Sequence, residues 1–177
     1  MSNEFKNAQT ATPKKGYQVG ESDYSRGWGG YEVTRVVYED NDPAKNCLVC
    51  EKDITVNPAQ ALSLQSHDQR RELWVVTKGT LTVVLDGQKL TLNAGEEVRI
   101  PVGGIHCMAN LGTAPCVVHE VQEGVCDEDD IHRFKDMYGR PAEQSDAPNV
   151  VSSLKVYDEI LRDIGFSPAA SAPIVKP

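Results

Sequence analysis

Gln65 and His67 stand two residues apart, Glu72 follows beyond a short polar stretch, and His106 comes from a separate segment. On an extended strand, residues i and i+2 share a face, so Gln65 and His67 can reach one point inside a β structure. Glu72 can return to that point from the adjacent strand, and His106 can meet it from another hairpin. One amide oxygen, two imidazoles and one carboxylate form an N/O donor set. Such a set suits Zn²⁺, Fe²⁺, Mn²⁺ or Ni²⁺ at ~2.0–2.2 Å, with positions left for water or substrate. Other chemistry-bearing residues read more plainly. Cys47-x-x-Cys50 lies in a strand pattern, where positions i and i+3 face opposite sides. No second such pair follows, so the two are read as buried thiols. Cys107 alternates away from His106 and reads as packing, Trp28 and Trp74 as core, and His119 and His132 as ordinary histidines. The acidic run Asp127–Asp130 reads as a solvated loop.

These donors need a β scaffold, and the chain has one. Short runs rich in Val, Ile, Leu and Thr predict strands near 31–38, 46–56, 60–67, 71–78, 80–85, 89–93, 97–101, 105–110 and 115–122. Asp86-Gly87 between two such runs is a hairpin signal, because both positions favour positive φ. Nine short strands at this spacing point to a sandwich or barrel rather than to βαβ units. Residues 152–164 place Leu154, Tyr157, Ile160, Leu161 and Ile164 on one helical face, with Ser152 or Ser153 as cap and Gly165 at the end. The organisation expected is a polar tail over 1–25, a β domain over 26–140, and a linker, helix and disordered tail over 141–177.

The 177 residues carry 18 basic and 26 acidic side chains, a net charge of −8. That balance speaks against a nucleic-acid partner, which requires clustered Lys and Arg. The absence of an 18-residue apolar run predicts no membrane-spanning helix. The polar first twenty residues lack a signal-peptide core, and five cysteines fit reduced thiols in a cytoplasmic protein.

With those residues in view, the chain resembles the cupin superfamily. Gln65-x-His67-x4-Glu72-x6-Gly79 matches the first cupin motif with Gln in place of the first His. Gly95-x5-Pro101-x-Gly103-x2-His106-x3-Asn110 matches the second. The likeness narrows to the type II phosphomannose isomerase domain over about residues 26–140. It is carried by Arg26-Gly-Trp28-Gly-Gly-Tyr31, by Lys52-Asp-Ile54-Thr-Val56-Asn-Pro58, and by Gln65-x-His67-x2-Arg70-x-Glu72-x-Trp74. Glu120-Val-Gln122 and Ile131-x-Arg133-Phe134-x-Asp136-x-Tyr138-Gly-Arg140 extend it. The resemblance implies an all-β cupin double-stranded β-helix, a jelly-roll barrel with one C-terminal α-helix. It also implies a divalent metal on Gln65, His67, Glu72 and His106, Zn²⁺ first, with Fe, Mn or Ni open. The implied activity is interconversion of mannose 6-phosphate and fructose 6-phosphate, a sugar phosphate being the small-molecule partner. Arg140 and Glu120 take catalytic roles in that reading, Glu120 as base. Lys52, Arg70 and Arg140 bind the substrate, and exposed sheet edges leave a homodimer open. In many relatives this domain follows a sugar-nucleotide transferase, and no Gly-rich nucleotide loop precedes residue 26. Gln69, Leu73 and Cys107 stand where the family commonly has His, His and Arg. They are expected close to the metal, where they would remove a titratable group and a cation. That departure supports one alternative, a non-catalytic sugar-binding or regulatory cupin; a metal-dependent cupin oxygenase is a second, against which the Gln65 ligand argues.

Overall fold

The computed structural model describes residues 16–166. The outer parts of both expected tails, residues 1–15 and 167–177, lie outside the described residues. Within them run β1 (Ser22–Arg26), β2 (Gly29–Tyr38), β3 (Cys47–Val56), β4 (Gln60–Ala61), β5 (Leu64–Ser66) and β6 (Arg70–Lys78). Then follow β7 (Thr80–Leu85), β8 (Gln88–Asn93), β9 (Glu97–Ile100), β10 (His106–Asn110), β11 (Cys116–Gly124), β12 (His132–Lys135) and α1 (Pro148–Asp163). One sheet has the order β1-β2-β3-β11-β6-β9. The other has β12-β5-β10-β7-β8, with β4 also on β10.

All nine expected strand regions are present, with three refinements. The region 60–67 divides into β4 and β5 at Leu62, whose N–H still donates to the Met108 carbonyl of β10 while its own carbonyl accepts from the Tyr157 hydroxyl, both at 2.9 Å. β1 starts inside the segment read as a polar tail, and Tyr17 ahead of it is buried. β12 pairs with β5, setting Arg133 opposite Gln65. The Asp86-Gly87 hairpin forms as expected, both residues at positive φ, with Leu85 paired to Gln88.

Strand alternation divides the interior into a polar and an apolar half. On β3 the inward residues are Cys50, Lys52, Ile54 and Val56; on β6 they are Arg70, Glu72, Trp74 and Val76; on β11, Cys116, Val118, Glu120 and Gln122. The register puts Val118 between Ile54 and Val76, Glu120 between Lys52 and Trp74, and Gln122 between Cys50 and Glu72. Ionisable side chains therefore gather at one end. At the other, Val56, Val76 and Val118 pack against Leu81, Val83 and Met108 of the facing sheet.

One register detail corrects the expected facing of Cys47 and Cys50, though not their reading as buried thiols. Val37 pairs with Val49 but Tyr38 with Cys47, so Leu48 is an extra residue in β3. A bulge of this kind shifts the alternation by one, and Cys47 and Cys50 both face inward rather than oppositely. Both are buried, free thiols.

Helix α1 begins at Pro148, four residues ahead of the expected start, so Ser152 and Ser153 lie inside it rather than at its cap. Proline's fixed φ suits the first helical position, where no N–H is needed. Val150, Tyr157, Ile160 and Leu161 pack on Ala61, Leu64, Val84 and Cys107, the outer face of the second sheet. Burying each such apolar side chain contributes ~1.5–3 kcal/mol. Gly165 ends the helix at φ 75.

Candidate metal centre

Three strands and one turn converge at the polar end. His67 follows β5, Glu72 lies on β6 and His106 opens β10, directly opposite Gln65. Donor atoms of His67, Glu72 and His106 all lie within 4.8 Å of one another, and all three residues are buried. His67 Nε2 is 3.2 Å from Glu72 Oε1, and His106 Nε2 is 3.8 Å from Glu72 Oε2.

The two imidazoles are oriented from behind. His67 Nδ1 lies 2.5 Å from the Asp130 carbonyl and His106 Nδ1 lies 2.9 Å from the Gly104 carbonyl. A carbonyl only accepts, so each Nδ1 carries the proton and each Nε2 presents a lone pair. His106 Nε2 is buried without a hydrogen-bond partner, a lone pair that a bound cation would satisfy. Burial is the main cause that holds His106 down to about 4, so the ring is neutral. For Glu72, burial acts upward. Its contacts with His67, His106 and the cationic Arg70 outweigh it and keep the carboxyl well below the usual carboxylate range. Two imidazole nitrogens and one carboxylate are a donor set that fits a divalent cation.

Gln65 is brought alongside. Its Oε1 accepts from Ser63 Oγ at 2.7 Å, and its Nε2 lies 3.4 Å from His67 Nε2. Rotation of the amide about its last bond presents the oxygen instead, since the Ser63 hydroxyl accepts as readily as it donates. Arg70, read as a substrate binder, is committed to the protein. Its Nε donates to Glu72 Oε1, its Nη1 to the Asp127 and Asp130 carbonyls, and its Nη2 to His67 Nε2 at 3.2 Å. At 3% exposure it positions His67 and Glu72, and a cation held by His67 would take the place of this bond.

A cavity of about 240 Å³ opens from this cluster, lined by Gln65, Arg70 and Glu72 at one end and by Lys52, Glu120, Arg26, Arg133 and Arg140. Burial first, then the charge of Glu72, pushes Glu120 up to about 8, against the pull of Lys52 and Arg70. Gln122 Nε2 donates to it at 2.8 Å. Lys52 Nζ sits 3.8 Å from the centre of the Tyr17 ring and 5.1 Å from that of Tyr31, within cation–π range. Arg140 pairs with Asp136 at 2.8 Å, yet Nε of both Arg133 and Arg140 is buried without a partner. Burial, and then Arg140's charge, lower the affinity of Arg133 for its proton.

Some of these residues carried little signal. Asp130, read as part of a solvated run, is buried. Its carboxylate accepts the Asp68 and Gln69 N–H groups at 2.9 and 3.1 Å, and its carbonyl orients His67. Tyr17 lay in what read as a tail. The departures from the cupin pattern also sit elsewhere than expected. Gln69 is exposed and Leu73 lies on the outer side of β6, while Cys107 packs under α1 with its thiol on the Leu62 carbonyl. Strand alternation turns Leu73 and Cys107 away from the metal, as it did in the packing reading of Cys107. His119 and His132 pair with Glu51 and Asp53, and with Asp68 and Glu143, outside the cavity.

Two antiparallel sheets closed around a buried His-Glu-His cluster, with the ligands on strands at one end, define a cupin, a double-stranded β-helix. The capsular polysaccharide assembling protein CapF of Staphylococcus aureus shares the fold at TM-score 0.51 and 16% identity, over 60% of this chain and 32% of that one. The chain belongs to the family described as mannose-6-phosphate isomerase, C-terminal, whose model matches residues 14–136. It is 46% identical over 90 residues to a mannose-1-phosphate guanylyltransferase of Escherichia coli K12, covering 50% of this chain and 19% of that protein. To the alginate biosynthesis protein AlgA of Pseudomonas aeruginosa it is 44% identical over 93 residues, covering 52% and 19%. The chain thus spans about a fifth of the length of these curated relatives.

Proposed function

We propose that this chain is a metal-dependent sugar-phosphate isomerase that interconverts mannose 6-phosphate and fructose 6-phosphate. The observation that carries the reading is one cavity beside the His-Glu-His cluster, lined by Glu72, by Glu120 with its raised pKa, and by two half-buried arginines whose Nε atoms are buried without a partner. A divalent cation on His67, Glu72, His106 and Gln65, Zn²⁺ first, would supply Lewis-acid stabilisation of charge developing on the sugar oxygens. Arg133 and Arg140 offer their free donors to the phosphate, whose oxygens match the guanidinium fork. Glu120 takes the proton from the carbon beside the carbonyl and returns it to the neighbouring carbon. A carboxyl with its pKa raised toward neutrality suits both steps. Lys52, steadied by Tyr17 and Tyr31, faces the same space and balances negative charge on the substrate. Arg70 and Gln122 hold Glu72 in place.

The non-catalytic alternative drew on Gln69, Leu73 and Cys107, and none of the three lines the cavity, which favours the isomerase reading over it. Purified chain loaded with Zn²⁺ and given mannose 6-phosphate is expected to form fructose 6-phosphate, with solvent deuterium entering at C2 when the product is reconverted in D₂O. A loaded protein that turns over no hexose or pentose phosphate overturns the reading.

A further inference from the structure

A second cavity, of about 300 Å³, shares Tyr17 and Glu128 with the first and is lined by Cys47, Cys126 and Asp127–Asp129. Cys126 leaves β11 just ahead of the loop whose Asp127 and Asp130 hold Arg70 and His67. Its backbone N–H donates to the Cys47 carbonyl at 2.8 Å. A backbone N–H···O=C bond holds the two Cα atoms within the roughly 4.4–6.8 Å that a disulfide spans. The β3 bulge is what turns Cys47 toward this partner. Cys50 lies on the same side but is fully buried. Among the described residues the three thiols form no metal cluster; only His67, Glu72 and His106 bring three donors together. The arrangement is thus a dithiol rather than a cation site. The adjacent Cys126 thiol is the chief influence holding Cys47 down to about 7, while Cys126 itself is pushed up, first by Cys47 and then by burial. Cys47 is thus the nucleophile and Cys126 the thiol that resolves it.

We propose that Cys47 and Cys126 form an oxidisable pair that a hydroperoxide converts into a disulfide, pinning the Asp127–Asp130 loop to β3. The Cys47 thiolate attacks one peroxide oxygen. An S–O bond forms as the O–O bond breaks, giving a sulfenic acid and hydroxide, which takes up a proton. The Cys126 sulfur then attacks the Cys47 sulfur; the S–S bond forms, the S–O bond breaks, and the departing hydroxide leaves as water with the Cys126 proton. Two electrons pass from two thiols to one peroxide, with two waters as product when the peroxide is H₂O₂. The bond fastens the loop that orients His67 and Arg70, and its formation is independent of any isomerase activity.

The test treats reduced, desalted protein with H₂O₂ and counts free thiols after denaturation. Of five free cysteines, two are expected to disappear, with a non-reduced peptide map linking Cys47 to Cys126. Cys126→Ser is expected to leave a sulfenic acid at Cys47 that dimedone captures, and Cys50→Ser to keep the disulfide. Circular dichroism confirms that each variant is folded, and the wild-type map stands without them. Five surviving thiols, a Cys47–Cys50 link, or a bond between chains overturns the proposal.

Discussion

Glu72→Gln keeps the shape of a buried side chain and removes its charge. Glu72 Oε1 faces Arg70 Nε at 3.3 Å, with both side chains only 2–3% exposed, and its Oε2 accepts from Trp74 Nε1 at 3.0 Å. Removing one partner of a buried ion pair costs ~3–5 kcal/mol. Two features place this case at the lower end. Arg70 keeps the Asp127 and Asp130 carbonyls and a contact to the Asp130 carboxylate at 3.4 Å, and the glutamine oxygen still accepts one hydrogen bond. With ~3 kcal/mol lost and roughly 2–4 °C per kcal/mol in a domain of this size, the variant is expected to melt about 6–12 °C below the wild type in EDTA. Zn²⁺ then separates the two further. A free cation at 100 times its Kd adds ~2.7 kcal/mol to a protein that binds it only when folded. That corresponds to ~5–11 °C for the wild type; the variant, without its anionic ligand, gains less than a third of it. Calorimetric melts with EDTA and with Zn²⁺, together with elemental analysis, read both effects. A variant that melts within ~2 °C of the wild type in EDTA and still holds one ion per chain refutes the reasoning for Glu72 as both ligand and counter-charge.

Further predictions concern single groups. Glu120→Gln is expected to lower kcat by ~10²–10⁴-fold while metal content stays at the wild-type level; unchanged turnover removes Glu120 as the base. Arg133→Ala and Arg140→Ala should each raise KM for the sugar phosphate by ~10–100-fold, the range of a lost charge-assisted hydrogen bond, and inhibition by inorganic phosphate should weaken in parallel. Tyr157→Phe removes the 2.9 Å bond to the Leu62 carbonyl and should destabilise the chain by ~1 kcal/mol, read from denaturant midpoints. Cys47 is protonated below its pKa of about 7 and a thiolate above it, so alkylation by iodoacetamide should accelerate from pH 6 through pH 8. Loss of the neighbouring donor in Cys126→Ala should move that rise toward the ordinary ~8.5 of a free cysteine.

The scaffold was readable because alternation, turn residues and strand length act locally. TLTVVL and QKLTL around Asp86-Gly87 contain their own hairpin, and Gln65-x-His67 contains its own shared face. Two kinds of information are not local. A bulge changes the phase of everything beyond it, and nothing in CLVCEK marks Leu48 as the residue that drops out of register with β2; only pairing with the neighbouring strand decides that. A loop's role depends on what it docks against. Asp127, Glu128, Asp129 and Asp130 are alike in sequence, but Asp130 alone of the four is buried, where its carbonyl and carboxylate meet the turn carrying His67.

The same alternation decides which sequence departures matter. Leu73 adjoins Glu72 and Cys107 adjoins His106 along the chain, so proximity in sequence suggests a changed pocket. On a strand the adjacent residue is the one that always faces away, and Leu73 and Cys107 belong to the outer side of β6 and to the α1 interface. The residues that shape the cavity opposite the metal come instead from distant segments. Tyr17 precedes β1, Arg133 sits on β12 across from Gln65, and Arg140 is held by Asp136 beyond it. Ligand motifs of this kind specify where a cation sits. Under the proposed isomerase function, recognition beside the cation would fall to the 131–140 segment and the strands that face it, so substitutions at Arg133 and Arg140 should alter substrate choice while those at Leu73 and Cys107 alter packing alone.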